Sequence, residues 1–319
     1  MNLLFLPKPE AIAFIPLAVS KIRHIKHSEI DRAKWDQTIL SSVYPLVFAQ
    51  SFYLDATFPG WDALVIGDYE SVFPLTQKEK LGIRYLHQPS FTPQLGVYGK
   101  TGAGIEQQFF DHITAHYRLI EIELNAANTL QSKDHVPKQT FVIDYSKGYK
   151  LNQNTKRNVA KALEHQLLFE RIPEAELLSL SQQYLNPFLK KQLRLSPVVI
   201  ARFDALLRSA MAAGTLYSFR VTDPEKKLLA IAHFISNGRH TVYLKGINFD
   251  KEVSLGSMHL LNSSAIQFFS DKAQLFDFGG GTKESLANFY KGFGAVALPY
   301  QALRYNRLPW LVNVLKKMS

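Results

Sequence analysis

The sequence contains no cysteine, which excludes disulfides, thiolate metal sites and a cysteine nucleophile and fits a reducing compartment. Long apolar runs are also missing: nowhere do roughly 18 uncharged apolar residues follow one another, so no membrane-spanning helix is expected. The stretch Met1 to Ser20 carries Leu3, Leu4, Phe5 and Leu6, but Lys8, Pro9 and Glu10 interrupt it before a signal-peptide core develops. It therefore reads as mature sequence of a soluble, cytoplasmic protein. No His-Glu-x-x-His, His/Cys cluster, Gly-x-Ser-x-Gly or paired-carboxylate motif occurs, so a metallohydrolase or serine hydrolase has little support and no metal is expected. The run Gly279-Gly280-Gly281 lacks the spacing of a dinucleotide loop and does not open a first βαβ unit.

What is present is the composition of a globular protein, 46% hydrophobic and 20% charged over 319 residues, long enough for two cores. A polar stretch from Tyr145 to Asn154 puts the expected boundary near residue 148, giving an N-terminal lobe 1–147 and a C-terminal lobe 148–319. The net charge of +10 is uneven, −1 before the boundary and +11 after it. A positive field of that kind concentrates anions such as phosphate, nucleotide or RNA; the alternative is a basic surface with no specific partner.

The periodicity is mixed α/β. Residues 61–75 read as a hairpin, 81–86 as a strand, 104–117 as a helix and 119–124 as a strand. In the second half, helices are expected from about 155, over 174–185 and over 197–213, where Gly214 supplies the C-cap. A meander of 216–222, 228–236 and 241–249 follows, joined by Asp223-Pro224 and Asn237-Gly238. A helix over 254–271, a strand 275–278, a helix 284–290 and an extended segment from 295 complete the chain.

Four patches occur in one order: Lys156-Arg157-Asn158-Val159-Ala160-Lys161-Ala162, Leu255-Gly256-Ser257, Phe276-Asp277-Phe278-Gly279-Gly280-Gly281 and Phe289-Tyr290-Lys291-Gly292-Phe293-Gly294. Together with Ser51-Phe52-Tyr53-Leu54-Asp55, Trp61-Asp62-Ala63-Leu64-Val65 and Pro89 to Gly96 in the first half, they resemble the FemAB-like, two-lobed branch of the GNAT acyltransferases over about residues 30 to 305. The resemblance implies two GNAT-like lobes, each a mixed, mainly antiparallel sheet flanked by helices. It further implies an acyl or aminoacyl donor, as acyl-CoA or aminoacyl-tRNA, on the C-terminal lobe and a small-molecule or peptide amine acceptor between the lobes. The activity expected is amide formation by direct attack on an activated carbonyl. The competing reading is a catalytically silent GNAT-like module that binds an anionic ligand or RNA.

In such a site a splayed strand offers backbone N–H to the developing oxyanion, and the next helix N-terminus binds phosphate. The candidate strand is Thr241, Val242, Tyr243, Leu244, Lys245, Gly246 and Ile247, and the candidate phosphate loop is Val253, Ser254, Leu255, Gly256 and Ser257. Gly256 would allow close backbone approach and the serines would add hydroxyl donors; alternatively Ser254 is an N-cap and Gly256 a first-turn glycine. The single glycine, with no arginine at the loop start, departs from the acetyl-CoA pattern and leaves CoA-linked and tRNA-linked donors both open. Lys156, Arg157 and Lys161 form a cationic helix face, opposite Val159, Ala162 and Leu163, that would grip phosphate or simply be solvated. Weak candidates for proton removal are His233, Tyr243 and Asp277. His233 reads equally as a packed strand histidine, and Asp277 as a carboxylate serving local backbone N–H groups. Tyr53, Trp61, Gln94, Tyr290 and Lys291 are the remaining substrate-side candidates, with core packing the alternative for the aromatics.

Overall fold

A computed structural model describes residues 21–80, 82–130, 132–249, 255–281, 283–310 and 313. The first half runs β1 (Arg23–Ile25), α1 (Arg32–Ser41), α2 (Ser51–Thr57), β2 (Asp62–Ile66), β3 (Ser71–Leu75), β4 (Gln77–Lys80), β5 (Ile83–His87), β6 (Tyr98–Gly99), α3 (Ala103–His116), β7 (Leu119–Glu123) and β8 (His135–Asp144). The second runs α4 (Gln153–Glu164), β9 (Leu168–Arg171), α5 (Glu174–Leu180), α6 (Asn186–Lys191), α7 (Pro197–Ala212), β10 (Leu216–Thr222), β11 (Leu228–Ser236), β12 (His240–Asn248), α8 (Ser257–Phe269), β13 (Leu275–Asp277), α9 (Glu284–Gly292) and β14 (Val296–Asn306). Among the described residues no helix is long and apolar enough to cross a membrane.

These strands form two mainly antiparallel sheets. A four-stranded sheet has the order β1-β2-β3-β6, and a ten-stranded sheet the order β4-β5-β7-β14-β8-β13-β12-β11-β10-β9. The large sheet draws on both halves because β14 inserts between β7 and β8. Its Val296–Leu303 stretch pairs with β8, and Ala302–Asn306 pairs with β7. On its other edge β8 pairs with β13, Ile143 opposite Phe276. The last strand therefore closes a sheet that the first half leaves open, satisfying edge N–H and C=O groups that would otherwise face solvent.

Three apolar clusters hold this arrangement. One joins the halves, packing Trp35, Phe48, Tyr53 and Trp61 with Phe203, Leu206 and Ile231. Its seam is α2 on α7, where Ser209 Oγ donates to Phe52 O at 2.9 Å and Arg202 Nη1 to Thr57 O at 3.1 Å. The second lies under α8 and collects Phe219, Phe234, Phe269, Phe276 and Phe278; each ring removed from water is worth roughly 1.5–3 kcal/mol. The third seats α3 on β7 through Phe109 and Ile113.

Several sequence expectations need correction. The helix expected over 174–185 is α5 followed by a π-helical turn, Ser181–Leu185, that leads directly into α6. Pro187 cannot donate to the preceding turn, and the wider π ladder, in which Asn186 N donates to Ser181 O, carries the helix past it. Gln77–Lys80 forms a strand that the sequence reading passed over. The helix expected from Ser254 is described from Ser257, and Val253, Ser254 and Leu81 lie outside the described residues.

Candidate functional site

The site grows from one break in the large sheet. β12 and β13 run parallel only from His240↔Leu275 to Val242↔Asp277. β12 then continues to Asn248 while β13 stops, and the chain leaves through Gly279, Gly280 and Gly281, at φ +69°, +155° and +128°. Only glycine holds such angles without strain. At Gly281 a Cβ would lie 2.4 Å from the Phe141 ring, so this exit is compulsory for the sequence as it stands. A bulge on β12 falls at the same place, because Tyr243 faces Phe234 and Lys245 faces His233, leaving Leu244 without a partner on β11. Bulges re-aim side chains, and three successive residues, Tyr243, Leu244 and Lys245, here line one cleft.

That central cleft, about 410 Å³, takes Phe48, Gln88, Phe91, Thr92, Pro93, Glu123 and Lys138 from the first half. Its opposite wall is Val242 to Lys245, Gly279 to Gly281 and Tyr300. On the other side of Tyr243 lies a groove of about 360 Å³ at the mouth of α8, lined by Gly246, Asn248, Gly256, Ser257, Met258, His259, Leu286, Phe289 and Tyr290. Tyr243 is the wall that the two share. Its hydroxyl sits over Gly246, where a Cβ would meet it at 2.3 Å. Burial pushes the Tyr243 phenol far above its usual value, so it stays protonated.

The groove opens onto the N-terminus of α8, whose first-turn N–H groups are suited to an anion. Ser257 Oγ donates to Asn248 Oδ1 at 2.8 Å, pinning the helix start to the end of β12. Gly256 adopts φ +81°, and the space its missing Cβ leaves is occupied by Asn158 O of α4, 2.2 Å from where the Cβ would lie. The close approach expected of a ligand at Gly256 is thus made by another helix, which brings α4 alongside the groove. Tyr290 stacks on Phe278 at 4.3 Å, and His259 packs edge-on to Phe289 at 5.1 Å. Burial raises the Tyr290 hydroxyl to about 12.

The proposed residues divide accordingly. Tyr243 borders both spaces, Leu244 and Lys245 face the central cleft, and Gly256, Ser257 and Tyr290 face the groove. Leu255 is half-buried against the α8 core, and Ile247 is buried in the cluster joining the halves. Lys156, Arg157 and Lys161 are exposed on α4. Leu163, expected on the apolar face, is 58% exposed, because α4 buries only Thr155 and Ala162. Lys291 is exposed with its ammonium 5.7 Å over the Phe141 ring.

Tyr53, Trp61 and Gln94 are wholly buried and line neither space. Tyr53 donates to Phe91 O, and Trp61 Nε1 donates to Asp55 Oδ1 at 2.8 Å. The loop after Pro89 does reach the central cleft, through Phe91, Thr92 and Pro93 rather than Gln94.

Neither His233 nor Asp277 reaches solvent. His233 Nδ1 lies 2.6 Å from Ser218 Oγ, and burial lowers its imidazole to about 3. Asp277 Oδ1 accepts from Thr140 Oγ1 and Gly279 N, each at 2.7 Å. Its Oδ2 is 3.4 Å from His240 Nε2. Because Val47 N donates to His240 Nδ1 at 3.2 Å, the His240 proton belongs on Nε2, facing Asp277. The carboxylate ties the glycine exit to β8 and to the first half, and it borders neither cleft.

Sequence reasoning missed Glu123, Lys138 and Tyr300, which come to the cleft from three separate strands. Gly246 was placed in the candidate strand, and its lack of a side chain admits the Tyr243 hydroxyl.

No family model and no curated protein matches the sequence. Solved structures do match it. FemX superposes with a TM-score of 0.63 at 12% identity, covering 92% of this chain and 99% of that one. A conserved protein of unknown function from Bacteroides thetaiotaomicron gives 0.60 at 10%, covering 86% and 96%. The C-terminal domain of a putative lysylphosphatidylglycerol synthetase from Agrobacterium fabrum gives 0.53 at 10%, covering 90% and 96%. The chain therefore shares the fold of FemX and of these two structures.

Proposed function

We propose that the protein is an acyl- or aminoacyltransferase that forms an amide on an amine acceptor by direct attack on an activated carbonyl. The observation that carries this reading is the meeting of two spaces at Tyr243, where β12 loses its partner strand. The donor carrier lies in the α8 groove with its phosphate toward the helix N-terminus, and its carbonyl reaches the free edge of β12. The acceptor enters from the central cleft. Its amine attacks, the C–N bond forms, and the C–O or C–S bond to the carrier breaks, with the amine proton leaving toward the departing carrier. The fold likeness to FemX and to a putative lysylphosphatidylglycerol synthetase supports a donor of this kind. Lys156 and Arg157 beside the groove favour a polyanionic carrier such as tRNA over CoA. We place the reaction in the cytoplasm.

The test is donor-dependent amide formation with panels of acyl-CoA, aminoacyl-tRNA and amines. A Tyr243→Ala variant that keeps its fold should lose about 100-fold in turnover, about 2.7 kcal/mol of barrier. Absence of product with every donor would sink the proposal. Donor binding that falls steeply with salt and still yields no product would point instead to a silent anion-binding module.

A further inference from the structure

The charges lining the central cleft do not balance one another. Glu123 Oε1 accepts from Arg304 Nη2, but its buried Oε2 has no donor among the described residues. Lys138 and Lys245 line the same cleft, and no carboxylate pairs with either among the described residues. Lys245 is half-buried, its ammonium 5.6 Å over the Phe188 ring, and burial lowers the pKa of its amine. A desolvated cation without a counter-ion and a buried carboxylate oxygen without a donor are both costly. Both deficits are met by one molecule that brings an anion and an ammonium together.

Size narrows the class. The cleft's volume of about 410 Å³ lies toward the small end of ligand sites, which run to roughly 1,000 Å³. An amino acid or short peptide fits, whereas a nucleotide-linked sugar would overfill it. Phe48, Phe91 and Pro93 supply an apolar wall for the side chain.

We infer that the acceptor held in this cleft is a small zwitterion, with Lys138 and Lys245 taking its anionic group and Glu123 Oε2 an ammonium N–H; loss of one proton from that ammonium to solvent gives the free amine that attacks. This rests on the acceptor lying in the central cleft, as proposed above, but it is tested without any donor. The full-length protein is titrated with glycyl-L-alanine, its C-terminal amide, its N-acetyl derivative and O-phosphoethanolamine, and binding is followed by calorimetry or saturation-transfer NMR.

The wild-type protein should bind glycyl-L-alanine at least about 10-fold more tightly than the amide or the N-acetyl form, the size of a lost charge-assisted contact. Lys245→Met should remove the preference over the amide and Glu123→Gln the preference over the N-acetyl form. If O-phosphoethanolamine binds more tightly than the dipeptide, and Lys245→Met abolishes that too, the inference stands with phosphate as the anion. Equal binding of dipeptide and amide by the wild-type protein, or no binding of any anionic probe, overturns it. So does discrimination unchanged in both Lys245→Met and Lys138→Met. The wild-type comparison does not depend on any variant folding. Charge-selective binding without turnover would count against the transferase reading alone, and turnover of neutral amines without charge selectivity against this one alone.

Discussion

The two spaces that meet at Tyr243 are built in opposite ways. The α8 groove takes its lining from β12, α8 and α9 of the second half, and no Lys, Arg, Asp or Glu lines it among the described residues. The central cleft draws residues from Phe48 to Tyr300 and holds three charged groups; among the described residues its two lysines have no carboxylate partner and one carboxylate oxygen has no donor. A groove made by β12, α8 and α9, close together in the chain, depends on local chain geometry: a glycine, a helix start and a bulge. A cleft made by distant strands depends on the sheet being assembled, so its charges can be left unbalanced for a ligand only because packing elsewhere holds the walls apart.

That contrast can be broken by perturbing one wall at a time. The largest stability effect is expected at Gly281, where Gly281→Val would place a branched side chain at φ +128° against Phe141. Strain and overpacking together should cost about 3 kcal/mol, read from denaturant midpoints. Central-cleft binding should fall before groove binding does. A fully stable variant with both spaces intact would show that the glycine exit is not what separates them.

A smaller effect lies beneath the β12 bulge, at His233. Its folded-state value of about 3 is below the ordinary 6.5, so between those limits the unfolded chain binds a proton that the folded chain refuses. Stability therefore rises with pH through this window and is complete above about 6.5. Acidification from pH 7 to 5 should cost on the order of 2 kcal/mol through this residue. His233→Leu, which cannot titrate, should flatten that slope in pH-dependent unfolding. An unchanged slope would mean that other groups carry the acid sensitivity.

The smallest effect is reserved for the surface beside the groove. Lys156→Glu combined with Arg157→Glu should leave the melting temperature within about 2 °C, as both side chains are exposed. Affinity for a tRNA-linked donor should drop about 10-fold at low salt, and the salt dependence should become shallower. If dipeptide binding in the central cleft fell equally, the two spaces would not be electrostatically separate.

Much of the second half was legible from its residues. The meander turns at Asp223-Pro224 and Asn237-Gly238, the helix ended by Gly214 and the strand entering Gly279 are local signals, and the elements stand where those signals put them. The segments facing the groove, Gly256-Ser257 and Tyr290, belong to the same local units. Tyr53, Trp61 and Gln94 are buried, which the sequence could not show, because an aromatic or amide residue beside a turn looks the same in sequence whether it faces a ligand or a core. Packing from distant elements encloses them: Trp61 lies against Trp35 of α1 at 4.6 Å, and Tyr53 joins the cluster shared with α7. Glu123 and Lys138 gave no signal at all, being ordinary charged residues on alternating strands.

By itself the sequence determined the meander of the second half, its turns and the helix that Gly214 ends, because turn chemistry and periodicity act over a few residues. The tertiary structure alone decided that β14 lies between β7 and β8, that His233 and Asp277 are enclosed, and that Glu123, Lys138 and Lys245 share one cleft. Strand order and burial are set by long-range pairing and packing, which no short window of residues encodes.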